Sequence, residues 1–409
     1  MKINLLRLSN SLDPNASFKN EDDQFIEEIN NELFDDDIEL VEDSSLPCSI
    51  VFIETGGSEQ HFVKIEKDLP RPIILLSTCK NNSLPACFEI KTYLAKKEED
   101  PILIFGTEKE VAATLKEISK ILSAKTYIDD ANLGVLGKPS DWLIASTVDY
   151  SQVKEKYNIN LIDIPTSELK EEIDKGIIDD IPRLEMVKKL GKDNEYLQGA
   201  LEIYSGIKRL VNKYNLKGFT IRCFDLIEEY KNTACLALAM LNDEGIIGTC
   251  EGDIPSMLTM FFIKAVSGQT SFQANPSKID LEKRTVLFAH CTIPMTMVSD
   301  VSYMTHFESG LGIGIRGKLD ERDISILKLT PKLDHALFLE GQVISNPTLP
   351  NYCRTQIEVK FDEEEGLYHL LRVDFGNHVI IAYGNIVGDF LNLIHYFNQK
   401  NKSQSKENQ

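Results

Sequence analysis

The chain has 409 residues, 42% of them hydrophobic and 26% charged, which supplies core material for two or three domains and excludes a wholly disordered polypeptide. Its 64 acidic and 44 basic residues leave a formal charge of −20; with no dense basic run to offset it, this excludes nucleic acid as a partner. The start lacks a signal-like apolar segment, no uncharged run reaches membrane-spanning length, and the eight cysteines form no CxxC pair, so a cytoplasmic protein with reduced thiols and no membrane partner is expected.

In chain order, INLLRL (3–8), SIVFIETGG (49–57), PIILLST (72–78) and PILIFG (101–106) are short β-branched runs that alternate with charged, helix-like stretches. That alternation predicts a parallel sheet covered by helices. Residues 20–43 carry twelve carboxylates without a Lys or Arg and read as a solvated acidic helix and loop. ETGGS (54–58) lacks the further residues of a nucleotide-binding loop and reads as a tight turn. A second βα unit opens at LGVLGKPSDWLIAS (133–146), where Trp142 is assigned to core packing, and continues through INLIDIP (159–165) and GFTIRC (218–223). One long amphipathic helix is predicted between the last two, from about Pro182 to Tyr214.

Beyond Ser299 the runs HFESGLGIGIRG, DISILKLTP, HALFLEGQVISNP, RTQIEVKF and YHLLRVDFGNHVIIAYGN read as strands of an antiparallel sheet or small barrel. VGDFLNLIHYF then forms a last helix. The expected fold class is α/β: two Rossmann-like domains with parallel sheets, residues 1–132 and 133–298, then a mainly antiparallel β domain, 299–399, and a disordered tail, 400–409.

Four segments hold residues suited to chemistry. GTCEGDIPSMLTM (248–260) sets Glu251 and Asp253 in a Gly-rich turn that opens an apolar helix. Two readings stand there: carboxylates at a pocket mouth that meet a hard cation or a hydroxyl, or Asp253 as a helix cap that needs no ligand. VLFAHCTIP (286–294) ends an apolar strand on His290, and GNHVIIAYGN (376–385) sets His378 beside a turn. Imidazole nitrogen with carboxylate oxygen is a natural donor set for Mn²⁺ or a similar divalent ion. His306, Glu308 and Arg316 lie in a Gly-rich stretch whose alternation lets some of them face a ligand.

The blocks GTCEGDIPSMLTM, GQTSFQANPSKIDLEKRTVLFAHCTIP, HFESGLGIGIRGKLDERDISILKL and GNHVIIAYGNIVGDFLNLI, spread over residues 218–398, resemble in order and spacing the L-fucose and L-arabinose isomerase superfamily. The resemblance implies a Mn²⁺-dependent aldose–ketose isomerase that works through an enediol on a monosaccharide or modified monosaccharide. It also implies a homo-oligomer. By resemblance Glu251 is metal ligand and proton-transfer group, His378 the metal histidine, and His290, His306 and Arg316 substrate contacts. Where relatives carry a second acid this chain has Ala274 and Asn275, so Asn275 takes the remaining ligand place and Asp253 is the carboxylate left to compensate. That departure leaves an alternative, a sugar-binding or regulatory protein with the isomerase fold, and a third reading, epimerisation or a lyase step on a polyol.

Overall fold

The computed structural model describes residues 1–10, 17–43, 45–46, 49–179 and 184–404. It falls into two compact units, residues 1–124 with the chain from Asn392 on, and residues Lys125–Leu391.

The first unit contains β1 (Lys2–Leu8), α1 (Ser17–Leu33), β2 (Glu39–Val41), β3 (Ile50–Ile53), α2 (Glu59–Ile65), β4 (Ile74–Ser77), α3 (Ser83–Ala95), β5 (Ile102–Ile104) and α4 (Glu108–Ile128), whose end passes into the second unit. All strand pairs are parallel, in the order β2-β1-β3-β4-β5. Side chains alternate between the faces of the sheet. Phe52 and Leu76 join Phe25, Ile29 and Leu115 on one side, while Val51, Ile53 and Leu75 join Phe62, Cys87 and Ile90 on the other. Both faces are therefore covered, which is why these strands read as continuous apolar runs. The acidic segment is helical, and Phe25, Ile29 and Leu33 give α1 its buried stripe.

The second unit opens with β6 (Asn132–Leu136), α5 (Tyr150–Tyr157), β7 (Asn160–Ile164), α6 (Thr166–Ile173), α7 (Leu184–Leu190), α8 (Leu197–Lys213), β8 (Leu216–Ile221), α9 (Phe224–Tyr230), α10 (Cys235–Asp243), β9 (Ile247–Cys250) and α11 (Ile254–Ser267). Strands β7-β6-β8-β9 form a parallel sheet of four. The single helix expected before Tyr214 is two: the chain turns at Gly191–Asn194, where the Asn194 side chain accepts the Tyr196 N–H, and α8 starts afresh. Pro182 lies outside the described residues.

There follow β10 (Phe272–Asp280), β11 (Thr285–His290), β12 (Val298–Met304), β13 (Gly314–Leu319), β14 (Asp323–Leu329), β15 (Ala336–Ser345), β16 (Thr355–Lys360), α12 (Glu364–Arg372), β17 (Val379–Tyr383) and α13 (Val387–Gln404). Six of these strands close an antiparallel barrel in the order β10-β11-β16-β15-β14-β17, and β12 pairs with β13 as a separate ribbon. The barrel thus begins at Phe272, ahead of residue 299. Two stretches read as strand are not. His306–Leu311 forms turns ahead of β13, and residues 368–372 belong to α12, because Leu367 and Leu370 repeat at helical spacing and bury one face. Helix α13 runs on to Gln404, past the start of the expected disordered tail; residues 405–409 lie outside the described chain.

Helix α11 links sheet and barrel: it packs on β8 and β9 and also on β14, β17 and β10. It is apolar all round because it is covered all round, with Met257, Leu258, Phe261, Phe262 and Ile263 at most 2% exposed. Asp253 caps its start by accepting the Ser256 N–H at 2.8 Å, and Gly268 at φ +67° ends it. The head of α11 is thereby fixed between sheet edge and barrel rim.

Candidate active site

Strands β6, β8 and β9 all end at the edge of a parallel sheet where ligands enter α/β folds. After β6 the chain turns through Gly137-Lys138-Pro139-Ser140, and after β9 through Glu251-Gly252. The two turns lock together: the Ser140 N–H donates to the Glu251 carbonyl, and a Cβ on Gly252 would sit 2.5 Å from the Pro139 Cα. Glu251 itself holds φ +64°, a left-handed conformation that a non-glycine residue adopts at a cost. That backbone aims its side chain out of the turn toward the barrel.

The barrel answers with its own rim. In the β10–β17 register Ala274 faces Val379, and in the β10–β11 register Asn275 faces Ala289, so His378, Asn275 and His290 stand side by side. A bulge between Pro276 and Lys278 shifts the strand just beyond. The rings of His290 and His378 lie 5.4 Å apart, nearly perpendicular. Glu251 Oε1 is 3.5 Å from His378 Nε2 and 3.9 Å from His290 Nε2. Donor atoms of Glu251, His290 and His378 all lie within 4.8 Å of one another.

Glu251 and His290 of this group line a cavity of about 450 Å³, a volume in the range of small-molecule sites, and His378 is fully buried beside them. Trp142, Phe224, Asn275, His290, His306 and Glu308 are among its walls. Trp142 is 51% exposed, not core, and its indole N–H donates to Glu251 Oε2 at 2.7 Å. It stands edge-on to Phe224, which stands edge-on to His306, with centroid separations of 4.7 and 5.5 Å. Five cysteines, Cys223, Cys235, Cys250, Cys291 and Cys353, line the same cavity, and the seven described thiols are all unbridged. Cys48 lies outside the described residues.

Asp253 and Arg316 stand elsewhere. Asp253 is fully buried beneath His378, with Oδ2 2.9 Å from His378 Nδ1 and Lys328 Nζ at 3.0 and 2.8 Å from its two oxygens. Arg316 donates to the Thr348 hydroxyl and is not among the cavity walls. Asn275 lines the cavity, its amide nitrogen donating to Asn377 Oδ1 at 3.0 Å. His290 is the third of the His and carboxylate donors that meet there with Glu251 and His378.

The electrostatics follow from these contacts. Burial acts to raise the Glu251 pKa, but the neighbouring His378 and His290 outweigh it and hold the carboxyl well below the carboxylate range. Burial also acts to raise Asp253, and Lys328 with His378 reverses it. His378 is pushed up to about 9: burial opposes its charge, yet Glu251 and Asp253 prevail. Burial lowers His290, and burial with the charges of His290 and Arg354 lowers His306 to about 4, so His306 is neutral at pH 7. Burial and the charge of Glu251 raise Glu308.

The donor set suits a divalent cation. His378 Nδ1 is committed to a carboxylate, as second-shell partners orient metal-binding imidazoles, while its buried Nε2 has no hydrogen-bond partner. A buried nitrogen left in that state is a site in want of a ligand. Among the described residues this is the one group of three such donors.

No protein-family model matches the chain. Curated relatives named sulfoquinovose isomerase do. The protein of Priestia megaterium (strain ATCC 12872 / QMB1551) is 20% identical over 371 residues, 85% of this chain and 83% of its own. That of Alkalicoccus urumqiensis is 20% identical over 380 residues, covering 87% and 86%, and that of Clostridium sp. (strain MSTE9) 20% identical over 352 residues, covering 80% and 77%. These likenesses point to a sugar isomerase family. They span 80 to 87% of the chain, where the sequence blocks spanned its later part.

Lys328 and Trp142 escaped the sequence reading. Lys328 sits in ISILKL, which reads as a strand with one wet face; β14 is buried on both, and only then does a lysine there demand a partner. Trp142 was legible as a neighbour of the GKPSD turn, but nothing local showed that this turn abuts Glu251.

Proposed function

We propose that this chain is a divalent-metal-dependent aldose–ketose isomerase acting on a monosaccharide or an acidic derivative of one, with Mn²⁺ as the leading candidate ion. The observation that carries the reading is the Glu251–His290–His378 group, with an orphaned His378 Nε2, two of whose members line a sugar-sized cavity. The relatives' printed name supports the reaction class and suggests sulfoquinovose as a substrate to try.

Glu251, His290 and His378 would hold the ion, which when bound supplies Lewis-acid stabilisation of the negative charge that develops on the sugar oxygens. Glu251, held ionised, serves as ligand, and Trp142 fixes its second oxygen through the indole N–H. Glu308 is the other carboxyl in the cavity, and its raised pKa suits it to carry a proton between C1 and C2. Neutral His306 offers a polar contact to a hydroxyl, and the Trp142–Phe224 wall gives the sugar ring an apolar face. Asp253 acts through His378, and Arg316 has no part in this cavity. With His290 as third donor, a second acid at Asn275 is not required, which favours the enzyme over the binding-protein reading.

The test is turnover across sulfoquinovose, fucose, arabinose and phosphorylated aldoses with added Mn²⁺. Isomerisation that collapses in Glu251→Gln supports the proposal. Silence across the panel from folded, Mn²⁺-loaded protein would sink it. We further propose a homo-oligomer, which sedimentation at micromolar concentration tests; a clean monomer refutes it.

A further inference from the structure

We infer that Lys328, a residue outside the cavity walls, is a positioning residue for cation binding, acting through Asp253 on His378; this rests on the proposed Glu251–His290–His378 site. Lys328 lies one residue from the end of β14, 1% exposed, and its three donors are all directed at one cluster. Nζ reaches Asp253 Oδ1 at 3.0 Å, Asp253 Oδ2 at 2.8 Å and Ser256 Oγ at 2.5 Å. Asp253 Oδ1 is held a second time by the Ser256 backbone N–H at 2.8 Å. The carboxylate is thereby fixed at both oxygens, and its position sets where Oδ2 meets His378 Nδ1 at 2.9 Å.

The consequence is directional. A carboxylate accepts and does not donate, so the imidazole must present its N–H at Nδ1, which leaves Nε2 to face Glu251 and His290. A lysine taken wholly out of water is poor value as a stabilising device, because replacing a buried ion pair by neutral groups of similar size is often harmless. Its geometry fits another use. Lys328 ties the barrel strand to the head of α11, and through Asp253 it sets His378, whose outer nitrogen has no hydrogen-bond partner and lies beside Glu251. Leu329 N–H adds a second tie to α11 at the Thr259 hydroxyl, 2.9 Å away, so the strand and helix are in register at this point.

The experiment uses the full-length chain stripped of metal, with Mn²⁺ alone as probe, followed by calorimetric titration and by thermal unfolding. Lys328→Met by itself leaves Asp253 uncompensated and is expected to lower the unfolding temperature, so the informative variant is the neutral pair Asp253→Asn with Lys328→Met, which removes both charges together. The paired variant is expected to fold with a midpoint near that of the parent and to bind Mn²⁺ about 10- to 100-fold more weakly, the usual loss when a ligand's outer partner is removed. A folded paired variant with the parent's Mn²⁺ affinity would overturn the inference and leave Lys328 a packing residue. A parent chain that binds no divalent cation at all would overturn the metal site itself, an outcome recognisable before any variant is made.

Discussion

Asp22 and Asp253 are both buried, at 3% and 0% exposure, and they meet opposite surroundings. Asp253 sits between a lysine and a histidine, which hold it ionised against the cost of burial. Asp22, on α1, is crowded by Glu54, Glu21 and Asp23, and its pKa is pushed up to about 7 by burial and by the Glu54 charge, although Arg7 pulls the other way. Arg7 is already shared among Asp23, Glu42 and Glu54. Burial alone therefore says little about function; the partner set decides whether a buried carboxylate is ionised and used or strained and idle. The two sites give a contrast that mutation can break from either side.

The largest effect belongs to the site that Asp253 supports. Glu251→Gln keeps the size and the Trp142 contact but removes the charge, and is expected to lower isomerase turnover by about a thousandfold and abolish tight Mn²⁺ retention. Turnover and metal content, measured on the same preparation, check it; undiminished turnover would remove Glu251 from the chemistry. Next comes Asp253→Ala, which leaves the Lys328 cation buried without its partner and is expected to cost about 3 to 5 kcal/mol of stability. Thermal unfolding reads this directly, and a cost under about 1 kcal/mol would mean that the pair is not buried as described. Trp142→Phe keeps the aromatic edge against Phe224 and deletes only the N–H to Glu251, so a drop in kcat of about tenfold with little change in stability is expected. An unchanged kcat would make Trp142 a wall and nothing more.

How far these sites were legible in sequence differs for the same physical reason. The parallel sheets could be read because continuous apolar runs such as Ile50–Ile53 need no partner to be recognised. Glu251, His290 and His378 could be named because each lies at the end of an element, where side chains leave the core. Their common meeting point was not readable, since it depends on β10 lying between β11 and β17. Asp253 looked equally suited to capping and to catalysis; it caps α11 and supports His378, and only Lys328, 75 residues later in the chain, separates those roles. Residues 368–372 were misread as strand because one apolar face at i and i+3 is weak against a neighbouring run of β-branched residues. The acidic segment reads as a solvated helix and loop, yet it holds strand β2 and a helix with a buried stripe, and Asp22 on its inner side is the strained residue.

The smallest effect tests the Asp22 half of the contrast. Unfolded, this aspartate titrates near its ordinary value of 3.8; folded, it titrates near about 7. The folded state therefore holds the proton more tightly, so its contribution to stability is complete below about 4 and is lost as pH rises through about 7. Asp22→Asn carries no titrating group, and its advantage over the parent should be nil at acid pH and grow across that window. Above pH 7 a gain of about 1 kcal/mol is expected, less than the full shift implies because Arg7 and water relax around the charge. Unfolding midpoints of parent and variant, compared at pH 5 and pH 8, decide it. Equal differences at the two pH values would show that Asp22 is ionised throughout and that the acidic cluster on α1 is no less comfortable than the pair beneath His378.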